Sequence, residues 1–254
     1  KLDPQLVLSN LGIGFTGIYG MMLGASVNLI FLFIIFGSLF ESVGISRFFL
    51  EVGTYIGRYL RGGAAQTATF SSAFVGMVTG GAAANIALTG SFTIPMMKKA
   101  GYEGKHAGAI EAAASTCGQV TPPVMGVAVF LMASFLGVSY GSLMVIALVP
   151  AIMFFMTTMF GVILIARKYN LPILTAKVDP SVLLQGLPLF VLPIGLVITM
   201  MVLRYTPAYA ASCAIGLLLG LAILRKETRP KLGKLLRAIS RGTNMASNIA
   251  VACA

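Results

Sequence analysis

Residues 62–99 read GGAAQTATFSSAFVGMVTGGAAANIALTGSFTIPMMKK. The stretch is apolar or small almost throughout, and the run Thr79-Gly80-Gly81-Ala82-Ala83-Ala84-Asn85 interrupts it near the middle. Each half is about 16 residues long, whereas a helix needs about 20 apolar residues to cross a bilayer. The stretch therefore either crosses a membrane once or enters it and returns as a re-entrant helical hairpin.

The composition of the whole chain indicates a membrane protein. Hydrophobic residues make up 57% of the 254 residues and charged residues only 10%, whereas soluble domains carry roughly 25% charged residues. So much apolar surface cannot be buried inside a globule of this size, so it must face a lipid bilayer. Three further apolar stretches, at residues 143–166, 183–203 and 208–224, are long enough to span one. The net charge of +11 lies in short loops between apolar runs, which argues against nucleic acid as a partner.

The distribution of basic residues distinguishes a hairpin from a single crossing. With a hairpin, Arg61 and Lys99 lie on the same side of the membrane, and the segment at residues 106–136 crosses to an uncharged turn at residues 137–142. All Lys and Arg residues except Lys1 and Arg204 then lie on the cytoplasmic side. A single crossing would divide them almost evenly. The sequence therefore predicts an all-α multi-pass membrane protein that contains a re-entrant hairpin.

The segment after the hairpin is interrupted as well. Residues 106–117 predict one helix and residues 124–136 a second. Between them, Gly118-Gln119-Val120-Thr121-Pro122-Pro123 cannot continue a helix, because two consecutive prolines lack N–H donors and clash with the preceding turn. Non-helical backbone at membrane depth is tolerated only where it is buried in protein or lines a wet cavity. We therefore expect a discontinuous transmembrane helix beside the hairpin.

These segments divide the chain into five parts. Residues 1–61 hold a first span, at about 17–40, and an amphipathic helix at 45–61 that suits the membrane interface. The hairpin takes residues 62–100 and the broken helix residues 101–142. The remaining parts are three scaffold-like spans at residues 143–230 and the start of a second repeat at residues 231–254.

The hairpin tip and the break in the helix together form the expected functional site. This layout is typical of secondary transporters, whose unwound carbonyls and half-helix ends bind cations and anionic substrates. Hydroxyl, amide and carbonyl oxygens suit a hard cation such as Na⁺. Alternatively, these polar groups only satisfy one another and the broken backbone. The candidate substrate- and ion-binding residues are Thr79, Gly80, Gly81, Asn85, Thr89, Glu111, Ser115, Thr116, Gly118, Gln119, Thr121, Pro122 and Pro123, with Na⁺ expected at Thr79, Asn85, Ser115 and Thr116.

Glu111 is the one acidic residue well inside a membrane segment. Ionisable groups are costly at that depth and usually functional. Glu111 lies one helical turn before Ser115, so both residues share a helix face. Three roles remain open: Glu111 lies beside the ion site, carries a proton, or locks the broken helix to the hairpin.

At these same residues the sequence resembles the large membrane subunit of the tripartite ATP-independent periplasmic (TRAP) transporters. It is most similar to the fused type, in which the small and large membrane subunits form one chain. The most specific run is Ala114-Ser115-Thr116-x-Gly118-Gln119-x-x-Pro122-Pro123-Val124-Met125-Gly126. The resemblance is also dense over Phe36-Gly37-x-Leu39-x-Glu41 and over Thr89-Gly90-Ser91-Phe92-Thr93-Ile94-Pro95-Met96-Met97-Lys98.

The resemblance implies an elevator-type transporter built from inverted repeats, whose mobile domain carries Na⁺ and substrate. It further implies that a periplasmic binding protein delivers a small organic acid, and that the protein lies in the bacterial or archaeal cytoplasmic (inner) membrane. Na⁺ is the expected coupling ion, and no other cofactor is expected. Both ends of the sequence look cut, so we expect the first half of a larger permease.

One departure from the family pattern affects the tip. Many large subunits carry Ser-Gly-Ser-Ser there, whereas this chain has Thr79-Gly80-Gly81-Ala82 and so lacks two hydroxyls. Backbone carbonyls, Asn85 or Thr79 remain as ion ligands.

Two other classes of protein compete with a transporter. An intramembrane enzyme needs a catalytic pair at depth, but the only His, His106, is expected in a loop, and no Gly-x-Ser-x-Gly run occurs. We therefore expect no enzymatic activity. An ion channel remains an alternative, because re-entrant loops also form selectivity filters. Another kind of secondary transporter with re-entrant hairpins is a further alternative. Saturable, Na⁺-driven uptake distinguishes a transporter from a channel.

Overall fold

The computed structural model describes residues 23, 24, 27, 30–173, 178–224, 230 and 232–253. Across these residues the secondary structure is helical, and no strand occurs in them. The first part of the expected first span, residues 17–22, lies outside the described residues. The ten described helices are α1 (Phe31–Ser42), α2 (Ile45–Gly57), α3 (Gly63–Thr79), α4 (Ala82–Lys99), α5 (Gly104–Val120), α6 (Val127–Leu136), α7 (Tyr140–Lys168), α8 (Pro180–Val202), α9 (Pro207–Leu224) and α10 (Leu232–Cys253).

Helices α1 and α2 are joined by a sharp bend of 75°. Gly44 adopts φ +86° at this bend, in the left-handed region that glycine enters most easily. Helix α2 ends at Gly57 rather than at Arg61, where the sequence predicted its end, and Gly62 begins the next helix with φ +76°. The apolar face of α2 packs inside the protein, since the ring of Phe49 lies 5.1 Å from that of Phe190 in α8.

Helices α3 and α4 form the predicted hairpin. They meet at Gly80-Gly81, and Gly80 caps α3 in the left-handed conformation with φ +67°. This is the usual way for a glycine to end a helix. The interruption is shorter than the predicted run of seven residues, because Ala82 to Asn85 already belong to the first turn of α4. Small residues form no obstacle to a helix, so only the two glycines break it.

Helices α5 and α6 form the predicted broken helix. The break begins at Thr121, not at Gly118 as the sequence suggested, because Gly118, Gln119 and Val120 complete the last turn of α5. Thr121 is extended, with φ −87° and ψ 119°, as expected for a residue that precedes a proline. The prolines thus end the helix at the residue before them and no earlier.

Three of the described helices are long and apolar enough to cross a membrane, namely α7, α8 and α9. Their bounds agree to within a few residues with the three spans predicted at residues 143–166, 183–203 and 208–224. Helices α1 and α2 count as one further broken span if they are taken together. Neither helix of the hairpin is both long enough and apolar enough to cross a membrane by itself.

Helix α3 lies at the centre of the packing, against α2, α4 and α5. Its contact with α5 depends on glycine, since a Cβ atom on Gly76 would lie only 2.7 Å from the Cα atom of Gly118. A Cβ atom on Gly37 of α1 would likewise lie 2.8 Å from the carbonyl oxygen of Val78. These close approaches hold the end of α3 between α1 and α5, which brings the hairpin tip next to the break in the helix.

Candidate transport site

The hairpin tip directly contacts the break between α5 and α6. The amide of Val124 donates a hydrogen bond of 3.3 Å to the carbonyl oxygen of Met77. A Cβ atom on Gly80 would collide with the carbonyl oxygen of Met125. Beside this contact, the amide of Gly126 donates to the carbonyl oxygen of Gln119 across the break, at 2.7 Å. The structure therefore joins two regions that the sequence separates by about forty residues.

A cleft of about 300 Å³ lies where the tip and the break meet. Helices α1 and α10 close its other sides with apolar side chains. The cleft is lined by Thr79, Gly80, Gly81, Ala82, Ala83, Ala84, Gln119, Val124, Met125 and Val127, together with Ile30, Phe33, Ile34, Phe130 and Met245.

Helix ends converge on this cleft. The first residues of α4 and α6, Ala82 and Val127, both line it, and neither helix has a side chain that caps its first N–H groups. Such uncapped N-termini attract anions. Thr79 at the end of α3 and Gln119 near the end of α5 also line the cleft, and the C-terminal carbonyls of helices attract cations. The backbone can therefore serve an anion and a cation within one cleft.

Thr79 is the tip residue whose side-chain oxygen lacks a partner among the described residues. Its Oγ1 atom is buried and has no hydrogen-bond partner among the described residues, although Thr79 lines the cleft. A buried polar atom without a partner costs about 1–3 kcal/mol. A bound cation or substrate would provide the missing interaction.

Glu111 lies outside the cleft, in a fully buried cluster of hydroxyl groups. Its Oε1 atom accepts hydrogen bonds from Ser72 at 2.8 Å and Ser115 at 3.2 Å, and also from Thr89. Its Oε2 atom accepts from Thr93 at 2.6 Å. Because Ser72 belongs to α3, Thr89 and Thr93 to α4, and Glu111 to α5, the carboxylate links the whole hairpin to the broken helix.

Asn85 forms hydrogen bonds with members of the same cluster. Its Nδ2 atom donates to the carbonyl oxygen of Ser72 at 2.7 Å, and its Oδ1 atom lies 3.4 Å from the Thr89 hydroxyl. The Thr89 hydroxyl is also within 2.8 Å of the Asn85 carbonyl oxygen. Asn85 is thus engaged in holding α4 to α3.

The four residues expected to bind Na⁺ occupy three different environments. Asn85 and Ser115 belong to the Glu111 cluster, and Thr79 faces the cleft. Thr116 is exposed, and its hydroxyl donates to the Ala112 carbonyl oxygen of its own helix at 2.8 Å. A shared Na⁺ site for all four side chains therefore has no support in this arrangement.

The other candidate residues have mainly structural contacts. Gly118 is buried against Gly76, and the Thr121 hydroxyl donates to the Cys117 carbonyl oxygen at 2.8 Å. Pro122 is half-buried in the break, and the buried Pro123 accepts a 2.8 Å hydrogen bond from the Tyr140 hydroxyl at its carbonyl oxygen.

Two members of the hydroxyl cluster, Ser72 and Thr93, were not predicted. Thr93 lies four residues after Thr89, so helical spacing alone could have placed both on one face. No comparable signal exists for Ser72, because it is 39 residues from Glu111 in the chain.

Comparison with known proteins gives a consistent set of similarities. The family model described as "Tripartite ATP-independent periplasmic transporter, DctM component" matches residues 17–254. The uncharacterized protein YgiK of Salmonella typhimurium is 25% identical over 198 residues, which are 77% of this chain and 45% of that protein. The C4-dicarboxylate TRAP transporter large permease protein DctM of Pseudomonas aeruginosa is 26% identical over 140 residues, or 55% of this chain and 32% of that protein. The matched part of the chain thus spans less than half the length of either relative.

Proposed function

Because the chain belongs to the family of DctM components of the tripartite ATP-independent periplasmic transporters, we propose that it imports a small organic anion together with Na⁺. The family consists of membrane components of transporters, not of enzymes. The observation that carries the proposal is the cleft at which the hairpin tip meets the break between α5 and α6.

The backbone around the cleft supports symport of an anion with a cation. The uncapped N-termini of α4 and α6 are positive, so they favour the carboxylate of the substrate. The Thr79 hydroxyl and the carbonyl groups that end α3 and α5 are the ligands proposed for Na⁺. A cation bound there also lowers the electrostatic cost of bringing the anion into the membrane, because opposite charges attract strongly at low dielectric.

The linkage through Glu111 supports an elevator mechanism. The hairpin and α5 are joined through one buried carboxylate, so they can move as a unit while the apolar spans α7, α8 and α9 remain as scaffold. We propose that this unit is the mobile domain and that its tip carries the substrate. The inverted second repeat would supply the other half of the site.

The family also suggests the partners and the location. We propose that a periplasmic binding protein delivers the substrate, that a small membrane subunit is fused to this chain, and that the protein lies in a bacterial or archaeal inner membrane. The name of the P. aeruginosa relative specifies C4-dicarboxylates. At 26% identity, it supports the class of organic acids and not a particular compound.

Uptake measurements with and without Na⁺ test the proposal. The protein is reconstituted in vesicles with its binding protein, and uptake of a labelled organic acid is followed with Na⁺ outside or with K⁺ in its place. We expect saturable uptake that falls at least tenfold without Na⁺. Undiminished uptake in K⁺ would refute the coupling, and an unsaturating current would indicate a channel.

A further inference from the structure

A second polar pocket, of about 300 Å³, lies between the C-terminal end of α1 and the first half of α10. It is separate from the transport cleft, because Phe33 lines the cleft whereas Glu41, two turns further along α1, lines this pocket. Eight residues of helix correspond to about 12 Å. Its lining consists of Ser38, Glu41, Ser42, Gly44, Lys234, Arg237, Ala238 and Arg241.

The pocket carries an excess of positive charge. Three cationic side chains, Lys234, Arg237 and Arg241, face one carboxylate, that of Glu41, which leaves two positive charges in excess. Arg241 pairs with Glu41 at 3.0 Å. Within the described ranges, Lys234 and Arg237 form no ion pair with a carboxylate. An anion with more than one oxygen would compensate these charges.

The shape of the cationic groups favours a phosphate. A guanidinium group binds phosphate oxygens through two parallel hydrogen bonds, and an ammonium group adds a point charge. The Nε atom of Arg237 already donates to the Gly233 carbonyl oxygen at 3.0 Å, which holds the guanidinium group in place. Its terminal nitrogen atoms have no hydrogen-bond partner among the described residues.

The surface of α10 next to the pocket is apolar and exposed. Leu232, Leu236 and Ile239 follow one another at helical spacing and are 72%, 59% and 42% exposed. The basic residues Lys234, Arg237 and Arg241 alternate with them along the same helix. A helix with a basic face and an apolar face is suited to the membrane interface, with its charges at the headgroups and its apolar side chains at the acyl chains.

The position of the pocket relative to the membrane also favours a phosphate, namely that of a lipid headgroup. The pocket lies at the end of α1, on the side to which the basic loops of the chain are assigned by the positive-inside rule. Anionic phospholipids give the cytoplasmic leaflet a negative surface potential, and basic pockets between helices on that side bind lipid headgroups. A free phosphate ion would bind the basic residues but would make no contact with the exposed side chains of Leu232, Leu236 and Ile239.

We propose that this pocket binds the phosphate of an anionic phospholipid. Lys234 and Arg237 contact the phosphate oxygens, and Glu41 orients Arg241 at the edge of the pocket. Leu232, Leu236 and Ile239 lie against the acyl chains. The bound lipid thereby joins α10 to α1 at the membrane surface.

The experiment measures the thermal stability of the purified, delipidated protein in neutral detergent. Dioleoyl phosphatidylglycerol is added to one sample and dioleoyl phosphatidylcholine to a matched one. A ligand that binds the folded state raises the melting temperature in a concentration-dependent way. We expect phosphatidylglycerol to raise it by several degrees and phosphatidylcholine to leave it unchanged. Equal shifts with the two lipids would overturn the proposal.

Two double variants test whether phosphatidylglycerol raises the melting temperature by binding at this pocket. The double variant K234Q/R237Q should need at least tenfold more phosphatidylglycerol for the same shift. Both side chains are exposed, so the variant should fold, and its melting temperature without lipid verifies this. The double variant K98Q/K99Q removes the same charge from the exposed end of the hairpin and should behave like the wild type. A full lipid response in K234Q/R237Q would overturn the proposal.

Two further melting-temperature measurements distinguish binding of the lipid from binding of a free phosphate ion. Inorganic phosphate at millimolar concentration should neither produce the shift nor abolish the response to the lipid. The variant Leu236→Gln keeps every charge in the pocket and should still weaken the response to phosphatidylglycerol. If inorganic phosphate reproduces the shift, the pocket is a site for the free ion and the lipid assignment is wrong.

Discussion

Glu111 combines full burial with hydrogen bonds to both of its carboxyl oxygens. A buried charge is very costly unless hydrogen bonds replace its hydration. Four hydroxyl groups surround the carboxylate: those of Ser72, Thr89 and Ser115 lie within hydrogen-bond reach of Oε1, and that of Thr93 lies within reach of Oε2. Among the three roles considered for Glu111, this geometry favours locking the broken helix to the hairpin.

Replacing Glu111 by Gln should destabilise the protein, because an amide offers one acceptor oxygen instead of two to the surrounding hydroxyl groups. We expect a loss of about 2–3 kcal/mol in the free energy of unfolding, the cost typical of a hydrogen bond to a charged group. Denaturant titration in detergent measures this loss. The exposed Glu103, which pairs with Lys105 at 2.7 Å, provides the control, and E103Q should have no measurable effect. Wild-type stability in E111Q would contradict the locking role.

Replacing Thr79 by Val should separate stability from function. Valine has the shape of threonine but no hydroxyl, and the buried Thr79 hydroxyl has no partner in the part of the chain that the structure describes. Removal of the unsatisfied hydroxyl should leave the free energy of unfolding unchanged or raise it by about 1–3 kcal/mol. The melting temperature measures this change. At the same time, the Na⁺ concentration for half-maximal uptake should rise about tenfold, a loss of about 1.4 kcal/mol in binding. An unchanged Na⁺ dependence would exclude Thr79 as a ligand.

Asp179 should make part of the stability depend on pH. It caps α8, and hydrogen bonds from the Ser181 hydroxyl and amide hold the pKa of its carboxyl below the ordinary value of 3.8. A lowered pKa means that the stabilisation is present above pH 3.8 and is lost as the pH falls through the folded-state pKa. The melting temperature of the wild type should therefore exceed that of D179N at pH 7, and the difference should vanish in strong acid. A difference independent of pH would contradict this assignment.

At the scale of helices, the close crossing of α3 and α5 positions the site. Gly76 and Gly118 face each other so closely that neither position has room for a methyl group. Small residues allow this kind of backbone approach in membrane proteins. The crossing lies near the ends of both helices and therefore sets the distance between the hairpin tip and the break.

Replacing Gly118 by Ala should force α3 and α5 apart. Overpacking of this kind costs about 1–3 kcal/mol, measurable as a lower unfolding midpoint, and uptake should fall because the tip moves away from the break. The matched control is Gly108→Ala in the same helix, where a Cβ atom meets nothing within 4 Å. That variant should be as stable as the wild type or up to about 1 kcal/mol more stable, since Ala favours helix over Gly. Equal stability of the two variants would show that the crossing tolerates a methyl group.

At the scale of the whole molecule, the exposed apolar surface is explained by a surrounding bilayer. Ile146, Met153 and Phe160 on α7 are 66%, 65% and 64% exposed. Buried contacts concentrate instead around α3 and the helices packed against it. The spans thus present their apolar side chains outward, while the polar cluster and the cleft lie inside.

Cysteine labelling should reveal the path of the chain through the membrane. In a background without native cysteines, R61C and K99C should react with an impermeant maleimide from the cytoplasmic side, and V138C only from the opposite side. All three positions are exposed at helix ends or turns. This labelling pattern is expected if residues 62–99 enter the membrane from the cytoplasmic side and return to that side. Reaction of R61C and K99C from opposite sides would instead show a single crossing.

Local features of the sequence were sufficient to predict the helices and their interruptions. The three spans follow from length and apolar composition, the hairpin turn from Gly80-Gly81, and the break from Pro122-Pro123. Each of these effects acts within one or two turns of backbone, so neighbouring residues reveal it. The errors of extent at Ala82–Asn85 and at Gly118 have one cause: small residues near a turn still belong to a helix when nothing breaks it.

Contacts between segments became visible only in the tertiary structure. It brings Ser72 to Glu111 and leaves the buried Thr79 hydroxyl without a partner among the described residues. It also joins Lys234 and Arg237 to the end of α1 in one pocket. Such partnerships depend on the packing of helices that are far apart in the chain, and no local spacing rule records which faces meet. The pattern of residues thus specifies the elements, whereas the close packing of those elements decides which side chains can act together.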